Sequence, residues 1–276
     1  MTRARDLADA ADKDFSGTVT VDNITIGGNI SQDSGTVKLD GNYPTGTANV
    51  ALGNTTLDSL SGGGYNVGIG TQALTANTSG DANVGVGYGA LDANTSASYN
   101  VGIGYDALGV NTTGTANVAV GGQSLDANTT ASNNTAVGYQ ALTANTTGAE
   151  NTAIGKEAAK ANTTGSYNTA LGRTSFLTNT TGSSNVALGA NTLRSSTTAS
   201  NNTAVGYDSL RANTTGNSNV AVGTNSLDAN TTGGANTAVG YQALTGNTTA
   251  ADNTSVGYNS LVANTTGASN TAVGSG

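Results

Sequence analysis

The side chains best equipped for chemistry in this 276-residue sequence are few and oddly placed. Five bases, Lys156, Lys160, Arg173, Arg194 and Arg211, follow one another with no basic residue between Lys38 and Lys156 or after Arg211. On a chain of formal charge −8 such a cluster would suit an anionic surface glycan. Its plainer reading is a solvated face kept soluble by charge. Tyr88, Tyr105, Tyr139, Tyr207, Tyr241 and Tyr258 recur at one position of a repeat and offer apolar faces with polar tips, suited to stacking on sugar rings. The plainer alternative packs those rings over a corner of the core. Asp58, Asp92, Asp126 and Asp228 invite a calcium reading, but they alternate with Thr, Lys, Arg and Gly and lack the glycine-rich nonapeptide of calcium-binding rolls. Solvated carboxylates are expected there, with no metal and no cofactor. Triplets such as Asn77-Thr78-Ser79 and Asn111-Thr112-Thr113 match a glycosylation acceptor formally. They recur because the repeat recurs. With no His, no Cys, no Trp and 9% charged residues, the chain lacks the acids, bases and nucleophiles of most active sites, and a non-enzymatic role is expected.

What positions these side chains is a repeat of 17 residues without insertion or deletion, opened by Asn at 49, 66, 83, 100, 117, 134, 151, 168, 185, 202, 219, 236, 253 and 270. Thirteen full repeats and a partial fourteenth fill residues 49–276. Counting from each Asn, position 2 is Val or Thr, position 3 is Ala, Gly or Ser, position 4 is Val, Ile or Leu, and position 5 is always Gly. This predicts a three-residue strand with large and small side chains on opposite faces, then a glycine corner. Position 9 is Leu in eleven of the thirteen full repeats, the exceptions being Ala159 and Phe176 in adjacent repeats. Positions 12 to 14 read Asn-Thr-Thr or Asn-Thr-Ser almost throughout, a bend in which Asn side chains bond neighbouring backbone.

Helices are excluded by the Gly, Asn and Thr content of each repeat and by its length, which cannot hold two of them. The predicted fold is all-β: a parallel β-solenoid, or β-roll, of 17-residue coils stacked about 4.8 Å apart. The expected core is thin, made of positions 4 and 9, with position 2 where it is Val. Position 3, small from Ala51 through Gly68, Gly85 and Gly102 to Ala272, would then let another strand approach and close a parallel homotrimer. The competing reason for its smallness is a narrow coil. In column 9, Phe176 is expected to lean into the space that Ala159 leaves.

The first 48 residues read as a separate attachment region. Residues 16–39 alternate apolar and polar types at Val19, Val21, Ile24 and Ile26, giving two or three short strands, and a segment holding Pro44, the only proline, joins them to the array. An acidic balance without a basic stripe argues against nucleic acid. No apolar run approaches the roughly 20 residues that span a bilayer, and the amino terminus lacks the apolar core of a signal peptide, so neither membrane insertion nor secretion is expected.

The recurring "NTAVG" and "NVAVG", followed by a small residue and Leu, resemble the head repeats of trimeric autotransporter (YadA-like) adhesins, which wind as parallel β-rolls in a trimer. Similar repeats occur in bacteriophage tail fibres, and "MTRARDLAD" at residues 1–9 resembles the opening of marine phage fibre proteins. The resemblance implies a virion fibre: a homotrimer attached to a tail or baseplate protein through its amino-terminal region and touching a host surface glycan or protein. A bacterial cell-surface adhesin is the nearest alternative. An ice-binding solenoid is a further one, weakened because Thr at positions 13 and 14 would point to opposite faces of an extended strand.

Overall fold

The computed structural model describes residues 47–276; nearly all of the expected attachment region, including its predicted strands, lies outside the described residues. Fourteen three-residue strands, from Val50–Leu52 to Thr271–Val273, form one parallel sheet in strict chain order. Every pairing is shifted by one repeat, as in Val137 against Ile154 and Ile154 against Leu171. The chain is thus a parallel β-solenoid of about thirteen 17-residue coils, as its period predicts. Backbone bonds run along the axis: the position-2 amide donates to the next coil's Asn carbonyl, Val67 to Asn83 and Thr152 to Asn168, both at 2.8 Å.

The strand faces the opposite way from the expectation. Position 3 is the buried one, as Ala136, Ala153, Ala170 and Ala187 show, while position 4 lies outside, with Ile154 38% and Leu171 39% exposed. Position 2 is also half-buried or exposed. The smallness of position 3 therefore reflects a narrow coil, and position 3 offers no surface to a second chain. The apolar interior is built instead from positions 3, 8 and 9, with Leu142, Phe176 and Leu193 all fully buried.

Positions 8 and 9 both point inward, which a strand cannot arrange, because the backbone turns left-handed at position 9. Leu142 has φ 52°, Phe176 52° and Leu193 48°, and position 7 is also left-handed, with Gln140 at 56°. Each such non-glycine residue costs roughly 1–2 kcal/mol. Burying a Leu side chain contributes about 1.5–3 kcal/mol, and the strained amide is bonded to the next coil, Leu142 to the Ala158 carbonyl at 3.0 Å. Burial therefore offsets the strain. At position 5 the turn is more extreme. Gly172 has φ 137°, and a Cβ there would meet the Gly189 carbonyl oxygen at 2.5 Å, so only glycine fits.

Two buried amide ladders flank the apolar column. At position 1, Asn134 Oδ1 accepts the Asn151 backbone amide at 2.9 Å. At position 12, Asn162 Nδ2 donates to Asn145 Oδ1 at 2.9 Å. The two meet at the position-15 carbonyl, where Gly114 O accepts from both Asn100 and Asn111 Nδ2 at 2.9 Å. Apart from Asn247 Oδ1, which has no partner, amides withdrawn from water along these ladders are satisfied by the coil above, the coil below or the same coil, which lets Asn replace apolar side chains in the interior.

Position 12 lacks Asn twice, at Leu60 in the first coil and at Ser196 inside the ladder. The buried Ser196 Oγ has no partner. Ser196→Asn should reconnect Asn179 to Asn213 and raise stability by about 1 kcal/mol, since a buried hydroxyl without a partner is replaced by a bonded amide. Urea unfolding measures this; a midpoint lower than that of the wild type would show that the gap accommodates nothing larger than Ser.

Candidate receptor-contact surface

Position 6 follows the glycine corner, and its side chains project outward. The six tyrosines there are between 43% and 57% exposed, so each presents about half of its surface to solvent. Where two occur in successive coils their rings stack: Tyr88 on Tyr105 with centroids 5.6 Å apart and Tyr241 on Tyr258 at 5.3 Å. Tyr65, Tyr99 and Tyr167, at position 17, are also exposed but belong to another edge of the coil.

The five bases do not act alike. Lys156 and Arg173 extend the position-6 column above Tyr139, whereas Lys160, Arg194 and Arg211 belong to position 10, with Leu177 interrupting them. Lys160 is held by Glu157 at 3.2 Å and Arg211 by Asp228 at 2.9 Å. The Asp228 carboxylate keeps the Arg211 guanidinium protonated above its ordinary range. Among the described residues Lys156, Arg173 and Arg194 make no ion pair, so the cationic surface is smaller than five charges suggest.

The aspartates separate in the same way. Asp58 is exposed. Burial raises the Asp92 and Asp126 carboxyls, and in both the neighbouring Asp106 charge adds to the rise. Asp106, at position 7, was not singled out by the sequence; its carboxylate beside Tyr105 raises the pKa of that hydroxyl. Among the described residues no group of three or more His, Cys, Asp or Glu is arranged to hold a metal ion.

The threonine face also departs from expectation. Positions 13 and 14 both lie on the outside, because the chain bends between them. The position-13 hydroxyl is turned along the axis and donates to the next coil's carbonyl, Thr146 to Thr163 at 3.0 Å and Thr163 to Thr180 at 2.9 Å. Of the two ranks, position 14 is the one whose hydroxyls face solvent.

No family model, curated protein or solved structure matches this chain. The surface itself carries two features: a column of aromatic and basic side chains along one edge, and a sheet face of exposed Val, Ile, Leu and Thr along another.

Proposed function

We propose that the chain is a structural fibre segment of a phage tail, assembled as a parallel homotrimer and presenting a repetitive surface to the host. The observation that carries this reading is the outer face of the fourteen-strand sheet. Leu52, Ile69, Ile103, Ile154, Leu171 and Leu188 lie along it half-exposed, with Val and Thr of position 2 beside them. Single apolar residues on a surface are ordinary, but a continuous strip over about 60 Å is a surface to be covered. Parallel copies in register would cover it, matching each coil with its equivalent. Association would also repeat every weak contact site on the fibre and raise its avidity.

Sedimentation tests the assembly. The wild type should show three times the mass of the chain. Ile154→Lys with Leu171→Lys should yield folded monomers, because neither side chain is in the core of a coil. A wild-type monomer at micromolar concentration would overturn the trimer. Immunogold labelling of the particles encoded by the same genome tests the location: label on tails supports the fibre, and label on bacterial envelopes supports a cell-surface adhesin instead.

A second reading has one observation in its favour. Outward Thr at position 2 and Val at position 4, as in Thr203-Ala204-Val205 and Thr237-Ala238-Val239, form two parallel ranks on one face, which adjacent Thr at positions 13 and 14 were not expected to do. Thermal hysteresis in the purified protein would promote an ice-binding role over the fibre.

A further inference from the structure

We infer that Tyr105, Gly122 and Tyr139 form a slot for one pyranose ring of a neutral glycan, an inference that rests on reading this edge as the receptor-contact surface. Along column 6, tyrosines in adjacent coils close on each other, as Tyr88 does on Tyr105. Gly122 breaks that continuity by supplying no side chain between Tyr105 below and Tyr139 above. A Cβ at Gly122 would meet Tyr139 Cδ2 at 3.7 Å and the Tyr105 carbonyl at 3.9 Å, ordinary contacts. A side chain would fit there, and the sequence supplies none.

Its width suits one ring. Two coils separate the backbones of Tyr105 and Tyr139 by about 9.6 Å, twice the strand spacing. A ring midway would stand about 4.8 Å from each, inside the roughly 4.5–7 Å range at which ring centroids pack. The corresponding gap between Tyr207 and Tyr241 holds Thr224.

The position-7 residues beside the slot define what the ring must carry. Gln140 Nε2 donates to Gln123 Oε1 at 2.9 Å, leaving the Gln123 amide and a lone pair of the Gln140 carbonyl for a ligand. The Asp106 carboxylate leans the other way, over Gly89 of the coil before, and gives the slot its charge but no hydrogen bond. Two apolar ring faces with donors and acceptors at their rim fit the axial hydrogens and hydroxyls of a pyranose. The negative charge of Asp106 argues against an anionic sugar at this place. Lys156 and Arg173 lie on the far side of Tyr139 and serve no ring in the slot.

Saturation-transfer NMR with a panel of methyl pyranosides (gluco, galacto and manno) tests the slot. Wild-type protein should transfer saturation to at least one of them. Gly122→Tyr, which continues a stack the protein already uses elsewhere, should fold normally and lose the signal at least tenfold. Tyr139→Ala should lose it too, and Tyr258→Ala should keep it. No transfer to any pyranoside, or equal transfer in wild type and Gly122→Tyr, would overturn the slot. Cell attachment separates this from the wider proposal. Equal sugar binding in wild type and Gly122→Tyr discards the slot and leaves the fibre reading standing; slot binding by a protein that attaches to no cell discards the fibre reading and keeps the slot.

Discussion

Asn162→Asp should lower stability by about 3–5 kcal/mol at pH 7, the usual scale for a buried charge without a compensating partner. Asn162 is fully buried. Its Nδ2 donates to Asn145 Oδ1 and Gly165 O, both at 2.9 Å, while its Oδ1 accepts from Asn179 Nδ2 at 2.7 Å. An aspartate keeps the shape and the acceptor but turns two donated bonds into two repulsions between oxygens. Burial and those oxygens would raise the introduced carboxyl's folded pKa above its unfolded value of about 3.9. The sign follows: the penalty is full above the folded pKa and shrinks as pH falls toward the unfolded one. Recovery stays incomplete, because a protonated carboxyl has one proton where the amide had two. Urea unfolding at pH 7 and pH 4 checks both statements. A loss under about 1 kcal/mol at pH 7 would mean that the ladder is dispensable.

Phe176→Ala should cost about 3–5 kcal/mol, the range for deleting a buried ring. Phe176 is fully buried and Ala159, its equivalent in the coil before, is 2% exposed. The two coils are bonded together here, Ala159 donating to the Ser175 carbonyl at 2.9 Å. Alanine at both positions leaves adjacent small residues in a column otherwise filled by Leu, and a stacked core cannot collapse across the gap without breaking axial bonds. Ala159→Leu combined with Phe176→Leu restores the regular column and should cost less than about 1.5 kcal/mol. If the double variant is as unstable as Phe176→Ala, the two residues do not share a space.

Much of the fold was legible because the repeat has no insertions: period, class, coil length and the Leu column all follow from residues 49–276. The direction of the strand was not. Alternation fixes only that position 3 opposes positions 2 and 4, and the larger side chains at position 4 suggested the core. The deciding fact is the left-handed backbone at Leu142 and its equivalents, which turns positions 8 and 9 inward together and leaves room opposite them only for small side chains such as Ala or Gly. No propensity favours a left-handed Leu; contacts along the axis impose it. Stacking like on like predicts amide ladders, and they form; that their Asn side chains lie buried in the interior was not legible, since buried and exposed columns look alike in sequence. At the candidate site, the tyrosine and basic columns were visible as residue types. Asp106 and the bare Gly122 were not, because their meaning depends on what stands one coil above and below.

The hydrogen bonds that join the coils lie along the axis, and so a pull on the array loads them one coil at a time. Each coil occupies about 4.8 Å while folded and holds 17 residues, which reach roughly 55–60 Å when drawn straight. Peeling a single coil would therefore lengthen the tether more than tenfold at that point and leave its neighbours wound. A stiff strut at rest becomes, under tension, a reel that unwinds in equal increments, absorbing mechanical work while its remaining length stays intact.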